Sequence, residues 1–423
     1  MLSAMVGKRR TRATRLPLVT LFGLARRNVF RQAGRTATTL AAIGFGVMSL
    51  AVAQGFLEDV FVQLAEAIVH SQSGHIQLAR QGFFEHGAHQ PEKYLVEDPV
   101  GDKKRIATIP EVQDVMARLS FSGLLNNGRA DLSVMGEGIE PDAENRLGTS
   151  LRIVAGRRLA STDKYGAVVG KGVAKSLGLK PGDRVVVVMS TSDGAMNSVE
   201  LEIVGVFQSF SKEYDDRGVK IPLSAAQTLL NTTGASALVV LLHDTAQTQR
   251  LSHLLKERTV WRDQDVRTWV ELNDFYLKTV ELYKMQFGGL QVIILVMVLL
   301  SVVNAVNTTV FERVSEFGTF RALGNRNSDV LKMVVAENAL LGLIGGALGV
   351  VGAIIVGQVI QRTGVPMPPP PNSELAYVAY VRVTWFALAG ALAVGFTATV
   401  LASCVPAWRV SVIQVAEALR QSQ

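Results

Sequence analysis

MQFGGLQVIILVMVLLSVVNAVNTTVF, Met285 to Phe311, holds no Asp, Glu, Lys or Arg. A helix of that length rises past the roughly 30 Å of hydrocarbon in a bilayer. Three further runs share the property: Thr36 to Leu57, Asn338 to Gln361 and Val383 to Trp408. Burying four such helices inside a water-soluble domain would be unusual. The 423-residue chain, 48% hydrophobic and 19% charged, therefore reads as an integral membrane α-helical protein with four transmembrane helices. A large extracytoplasmic α+β domain is inserted between helices one and two.

Charge orients the spans. The first 35 residues carry nine Lys/Arg (Lys8, Arg9, Arg10, Arg12, Arg15, Arg26, Arg27, Arg31 and Arg35) and no acid, so the net +7 belongs to this tail. Positive charge stays in the cytoplasm, which puts the N-terminus, and after four crossings the C-terminus, inside. The chain divides into a basic tail with an interfacial helix (1–35), span one (36–57), an external domain with a stalk (58–284) and span two (285–311). A cytoplasmic loop (312–332), span three (333–361), a Pro-rich external loop (362–382), span four (383–408) and a C-terminal tail (409–423) follow. The first run continues past Ala51-Val52-Ala53, which favours a span over a cleaved signal peptide. The lone Cys404 allows no intrachain disulfide, so the external domain must be held by its own core.

Within that domain GHIQLAR, ADLSVMGEGI, DRVVVVMS, SVELEIVGVFQSF and ALVVLLHD read as strands. GKGVAKSLGL, PLSAAQTLLN and TAQTQRLSHLLKERT read as helices, suggesting small α+β layers. Asn273 can cap a helix running to Phe311, about twice the length a bilayer needs, whose outer part (Asp274 to Lys284) would stand above the membrane as a stalk. A break at Gly288-Gly289 is the alternative. In span three, Gly342/Gly346 and Gly345/Gly349 are GxxxG pairs, expected at close helix packing.

FERVSEFGTFRALG, Phe311 to Gly324, sits between two apolar runs and carries both charge signs with three phenylalanines. In a helix Val310, Val314, Phe317 and Phe320 or Arg321 fall on adjoining faces. Glu312 and Glu316 suit the N-terminal end, Arg321 the C-terminal end, and Gly324 the stop. Such a helix is either an interfacial anchor or a lever that a cytoplasmic partner pushes.

Catalytic signals are missing from the sequence. There is no GxxxxGK[ST] phosphate loop, and Gly170-Lys171-Gly172 lacks the spacing. No local signature suggests a Ser/His/Asp set. Glu337 is the one acid close to the third apolar run, and Asn304 and Asn307 suit interhelical hydrogen bonds. His70, His75, His86 and His89 cluster without a specific ligand spacing, so a polar loop is expected and a metal site is not.

ERVSEFGTFRALGNRNSDVLKMVVAENALLGLIGGALGVVGA resembles the characteristic block of the MacB/FtsX-type ABC transporter permeases, whose members include the lipoprotein-release permeases LolC and LolE. ARRNVFRQAGRTATTLAAIGFGVMSLAVAQGF, SCVPAWRVSVIQVAEALR and the external phrases VVGKGVAKSLGLKPGDRV and FSKEYDDRGVKIPLSAAQTLL are similar to other parts of that family, so the resemblance spans nearly the whole chain. It implies a MacB-like external domain and a bacterial inner-membrane location with that domain in the periplasm. It also implies a coupling helix that docks on an ATPase, carried by Glu312, Arg313, Glu316, Phe317, Gly318, Phe320, Arg321, Ala322, Leu323 and Gly324. The chain would be a non-catalytic permease subunit, closest in layout to LolC/LolE. It would bind no cofactor itself, since ATP and Mg belong to a partner ABC ATPase dimer. The other implied partners are a second permease copy or paralogue, membrane lipid, and a periplasmic chaperone, adaptor or substrate lipoprotein. Nucleic acid is not among them. The implied activity is extraction or export of an amphipathic envelope substrate, foremost a lipoprotein. Export of a peptide, toxin or drug with an outer-membrane channel, and FtsX-like control of a cell-wall hydrolase, stay open.

Overall fold

The computed structural model describes residues 33–87, 91–190, 195–257, 263–369 and 374–412. The basic tail with its interfacial helix, His89 and most of the C-terminal tail lie outside these residues. The described chain forms two compact units: residues 61–280 with 366–378, and the helical remainder.

Helix α1 (Ala33–Ile68) is longer than its apolar run, because the alternation of Val60, Leu64, Ala65 and Ile68 goes on burying one face after charge begins at Glu58. It ends in a π-helical turn, Val69–Ser73. Gly74 closes the turn at φ +62°, donating its N–H to the Val69 carbonyl at 3.1 Å. A Cβ there would sit 2.3 Å from Val239 Cγ1, so both the backbone and the space require glycine.

The external unit is built on one ten-stranded mixed sheet, where the sequence suggested several small layers. Its strands are β1 (Ile76–Arg80), β2 (Val112–Asn126), β3 (Asp131–Ile139), β4 (Arg152–Gly156), β5 (Gly166–Gly170), β6 (Arg184–Ser190), β7 (Met196–Gln208), β8 (Gly218–Pro222), β9 (Ala237–Leu242) and β10 (Gln264–Thr268). The order is β10-β1-β9-β2-β3-β8-β5-β7-β4, with β6 joining β2 and β7. Only β3–β8 and β5–β7 run parallel among the described pairs. Helices α2 (Pro99–Ile106), α3 (Pro141–Leu147), α4 (Lys171–Leu177), α5 (Leu223–Leu230) and α6 (Thr248–Glu257) are interspersed along the chain between these strands. The largest core joins Leu119, Val169, Val187, Ile203, Ile221 and Leu229. A separate cluster packs Leu64, Ile68 and Val69 from the end of α1 with Met116, Leu147, Val239 and Trp269.

Where that end of α1 meets the sheet, a charged network is buried. Arg118 on β2 (5% exposed) donates to both oxygens of Glu144 on α3 (6%) at 2.9 Å, and to the Gln72 carbonyl inside the π-helical turn. Lys220 on β8 (3%) donates to Glu144 as well, and lies 3.5 Å from Glu137, which accepts from the Tyr214 hydroxyl at 2.9 Å. Burial alone would raise the Glu144 carboxyl, but Arg118 and then Lys220 outweigh it and hold it below the usual carboxylate range.

His75 corrects the expected polar loop, being 1% exposed. Its Nδ1 accepts from the Leu242 N–H at 3.1 Å and therefore carries no proton. Nε2–H then donates to Thr245 Oγ1 at 2.9 Å, and that hydroxyl donates to Glu66 on α1 at 2.8 Å. Burial first, and repulsion from His70 next, push the imidazole down to about 4.

Helix α7 runs unbroken from Asp274 to Glu312, straight through Gly288-Gly289. Asn273 starts it with its backbone carbonyl, which accepts from the Tyr276 N–H at 3.0 Å, while its side-chain amide donates to the Trp269 carbonyl at 2.6 Å. After α8 (Val314–Ala322) comes α9 (Asn327–Thr363), which begins inside the segment expected to be loop because Asp329 accepts the Arg326 N–H at 3.0 Å and starts the helix early. A ribbon of β11 (Val365–Met367) and β12 (Tyr377–Ala379) precedes α10 (Trp385–Ser411). Among the described residues four helices, α1, α7, α9 and α10, are long and apolar enough to cross a membrane. Their shared core joins Ile43, Val47, Val302, Val306, Val334, Leu341, Ala402 and Val410.

Candidate functional site

The candidate site is the junction between α7 and α9, which carries the charge-rich stretch. Regular helix stops at Glu312. Arg313 sits at φ −107°, ψ 13°, donates its N–H to the Val310 carbonyl at 3.1 Å, and accepts the Phe317 N–H at 3.1 Å. Only one residue separates α7 from α8, so the chain changes course without a flexible loop. At the far end Leu323 N–H bonds the Thr319 carbonyl at 3.1 Å, and Gly324 adopts φ +97°, a left-handed stop that favours glycine.

Spacing puts Val310, Val314 and Phe317 on one face, and all three are buried at 3–4% exposure with Gly318 beside them. Arg313 is drawn to the same side and is 8% exposed. Its Nη1 donates to both oxygens of Glu337 on α9, at 3.1 and 3.0 Å, and its Nε to Glu316 at 2.9 Å. The guanidinium also lies 5.4 Å from the Phe317 ring centroid. Beside the pair is a cavity of about 30 Å³ lined by Thr39, Thr309, Glu337 and Asn338 and by apolar groups such as Val306 and Leu341. Phe311 (63% exposed) and Leu323 (79%) are the large apolar side chains of this stretch left uncovered.

The ten residues singled out by sequence thus divide. Arg313, Phe317 and Gly318 are buried; Glu316, Phe320 and Arg321 are half-buried; Glu312, Ala322, Leu323 and Gly324 are exposed. Arg313 faces Glu316 and Glu337 within the protein. Sequence reading noticed Glu337 but gave it no partner, because the pairing spans 24 positions and two helices.

The four GxxxG glycines of span three face two different helices. A Cβ on Gly349 would come 2.5 Å from the Gly44 carbonyl of α1, and one on Gly345 2.9 Å from Ile43. Gly346 and Gly342 would meet Leu392 at 2.5 Å and Thr399 at 3.1 Å, both on α10. Gly44, which sequence reading did not single out, answers Gly345 from α1, where a Cβ would lie 3.2 Å from the Gly345 carbonyl. Asn304, expected to bond between helices, is exposed on α7. Among the described residues no three His, Cys, Asp or Glu side chains gather as a metal site.

Residues 36–258 match the MacB-like periplasmic core domain family, and residues 289–415 match the FtsX-like permease C-terminal family. The lipoprotein-releasing system transmembrane protein LolC of Xylella fastidiosa is 25% identical over 90% of this chain and 91% of its own length. An uncharacterized ABC transporter permease of Methanocaldococcus jannaschii is 24% identical over 63% of this chain and 65% of its own. The pyoverdine export ATP-binding/permease protein PvdT of Pseudomonas aeruginosa is 25% identical over 77% of this chain and 49% of its own. Among solved structures, the periplasmic region of MacB from Actinobacillus actinomycetemcomitans aligns with 51% of this chain and 95% of its own, at 17% identity and a TM-score of 0.36.

Proposed function

The chain belongs to the FtsX-like ABC transporter permeases with a MacB-like periplasmic core domain, and on that premise we propose that it is the membrane subunit of an ATP-driven machine that works by transmitting movement. A separate ABC ATPase dimer binds and hydrolyses ATP with Mg²⁺; this subunit is non-catalytic. The ATPase docks on α8 from the cytoplasm, and the external domain acts in the periplasm of a bacterial inner membrane. The observation that carries the reading is α7. It is one 39-residue helix, with a single irregular residue between it and a short helix that is flanked by the exposed Phe311 and Leu323. A helix without a break is suited to carry displacement along its length.

Helix α7 also leaves Ile293, Met297 and Leu300 more than half exposed. That flank suits hydrocarbon or a second permease copy or paralogue. The substrate class we favour is an amphipathic envelope molecule, foremost a lipoprotein, supported by a likeness to LolC that runs over nine-tenths of both chains. Export of a small molecule or peptide with an outer-membrane channel is the second reading, supported by the likeness to PvdT.

Co-purification of the tagged chain from gently solubilised membranes, with mass spectrometry of what accompanies it, tests this. A stoichiometric ABC ATPase is expected, lost on Leu323→Glu. A lipoprotein or its chaperone beside it selects release, and a channel or adaptor selects export. An intact complex without an ATPase overturns the reading and leaves α8 as an interfacial anchor.

A further inference from the structure

We propose that the Arg313–Glu337 pair is a pin that fixes α8 to α9, so that α8 and α9 answer an ATPase as one body; the proposal rests on the docking role of α8 given above. One guanidinium engages three places at once. It is the junction residue after α7, it bonds Glu316 and lies by Phe317 on α8, and it grips both oxygens of Glu337 on α9. Any rotation of α8 away from α9 must open a charge-assisted contact in which one nitrogen, Nη1, faces both carboxylate oxygens, and such a contact weakens over a short displacement. Glu337 is 8% exposed and Arg313 likewise, so neither ion can turn to bulk water to replace the other.

Packing alone does not call for this pair. Two apolar side chains of similar volume would fill the space at less desolvation cost. What the ions add is direction, since the rigid, planar guanidinium holds Nε on Glu316 and Nη1 on Glu337 at a fixed angle. The stretch then has two kinds of residue. Phe311 and Leu323 face outward and bind, while Arg313 and Glu337 face inward and transmit. Glu337 is a positioning residue, acting through Arg313 and touching no partner.

The test uses the full complex with its ATPase and follows amide exchange in the outer part of α7, Asp274 to Lys284, with ATP and vanadate against no nucleotide. With Glu337→Gln, the ATPase still co-purifies at wild-type stoichiometry, but the nucleotide-driven change in exchange falls to about a tenth or less, as expected when a buried charge loses its partner. Arg313→Lys keeps the charge without the fork and falls between. The double swap Arg313→Glu with Glu337→Arg restores most of the response, which a purely space-filling role would not do. A response within about twofold of wild type in Glu337→Gln overturns the pin, because a tenfold loss is the least a broken buried pair should give. Loss of the ATPase from that variant also overturns it, by making the pair part of the docking surface. A swap as defective as the single variant overturns it too. Failure of the wild-type chain to carry an ATPase is a different result and counts against the docking reading.

Discussion

The two buried arginines, Arg118 in the external unit and Arg313 in the helical unit, sit where a long helix loses its regular geometry. Arg118 donates to the Gln72 carbonyl in the π-helical end of α1, and Arg313 is itself the irregular residue after α7. They differ in their surroundings. Arg118 shares Glu144 with a second buried cation, Lys220, and the three are fixed on β2, α3 and β8 of one packed domain. Arg313 has Glu337 and Glu316 beside a small cavity of mixed polar and apolar lining. The first cluster sets two cations, Arg118 and Lys220, on Glu144, with Glu137 near Lys220; the second sets one cation, Arg313, between Glu316 and Glu337. The first network ties strands and a helix of one domain together, whereas the second ties two neighbouring helices of the bundle.

The sharpest way to break this contrast is Glu144→Gln. It leaves Arg118 and Lys220 buried without their shared anion, and should cost about 3–5 kcal/mol, enough to unfold the external domain or bring it close. Denaturant unfolding of the full chain in detergent measures it. Glu337→Gln should cost clearly less, and equal losses would erase the distinction.

Next in size is a test of the bundle without charges. Gly349→Leu drives a side chain into the Gly44 carbonyl and Val47, and should lower bundle stability by about 1–3 kcal/mol or more, seen as a lower thermal midpoint in detergent. Gly342→Ala meets only Thr399, at 3.1 Å, and should do much less.

The external unit should also respond to acid. His75 is held neutral at about 4 against 6.5 for a free imidazole. The unfolded chain therefore binds the proton first. The stabilisation is complete above pH 6.5 and is lost progressively as pH falls towards 4, by up to about 3 kcal/mol. Denaturation midpoints of the wild-type protein and of His75→Gln, compared between pH 7.5 and 4.5, should differ in slope, the wild type losing more stability as pH falls.

The smallest effect sharpens the picture of α7. A Cβ at Gly288 meets nothing within 4 Å, so Gly288→Ala should leave assembly unchanged and firm the helix by no more than about 1 kcal/mol. Slower amide exchange around residue 288 is the expected sign. A large loss of stability would mean that the open side of α7 is closely covered in the assembled complex.

Much of the architecture was legible because membrane helices are written locally. The charge-free runs mark all four candidate spans of the described residues, and α7 spans Asp274 to Glu312 as the sequence reads it, although the Asn273 side chain turns to the Trp269 carbonyl instead of capping it. The external sheet was less legible. β2, its longest strand, was missed because VQDVMARLSFSGLLN is buried on both faces over its middle, with Val115 to Leu119 all at 5% or less, so no alternation of apolar and polar residues announces it. Its charged member, Arg118, looks in the sequence like a sign of exposure.

The sequence by itself determined which segments have the length and composition to cross a membrane, where one helix outlasts the bilayer, and which face of the Phe311–Gly324 stretch is apolar. Those are properties of neighbours along the chain, set by backbone periodicity and the absence of charge. Only the tertiary structure decided partners. It placed Glu337 against Arg313, Glu144 between Arg118 and Lys220, Gly349 against Gly44, and His75 between Leu242 and Thr245. Periodicity fixes the direction in which a side chain leaves its helix or strand, while the group it meets depends on how distant elements pack. A buried charge is stable only where that packing supplies its counter-ion.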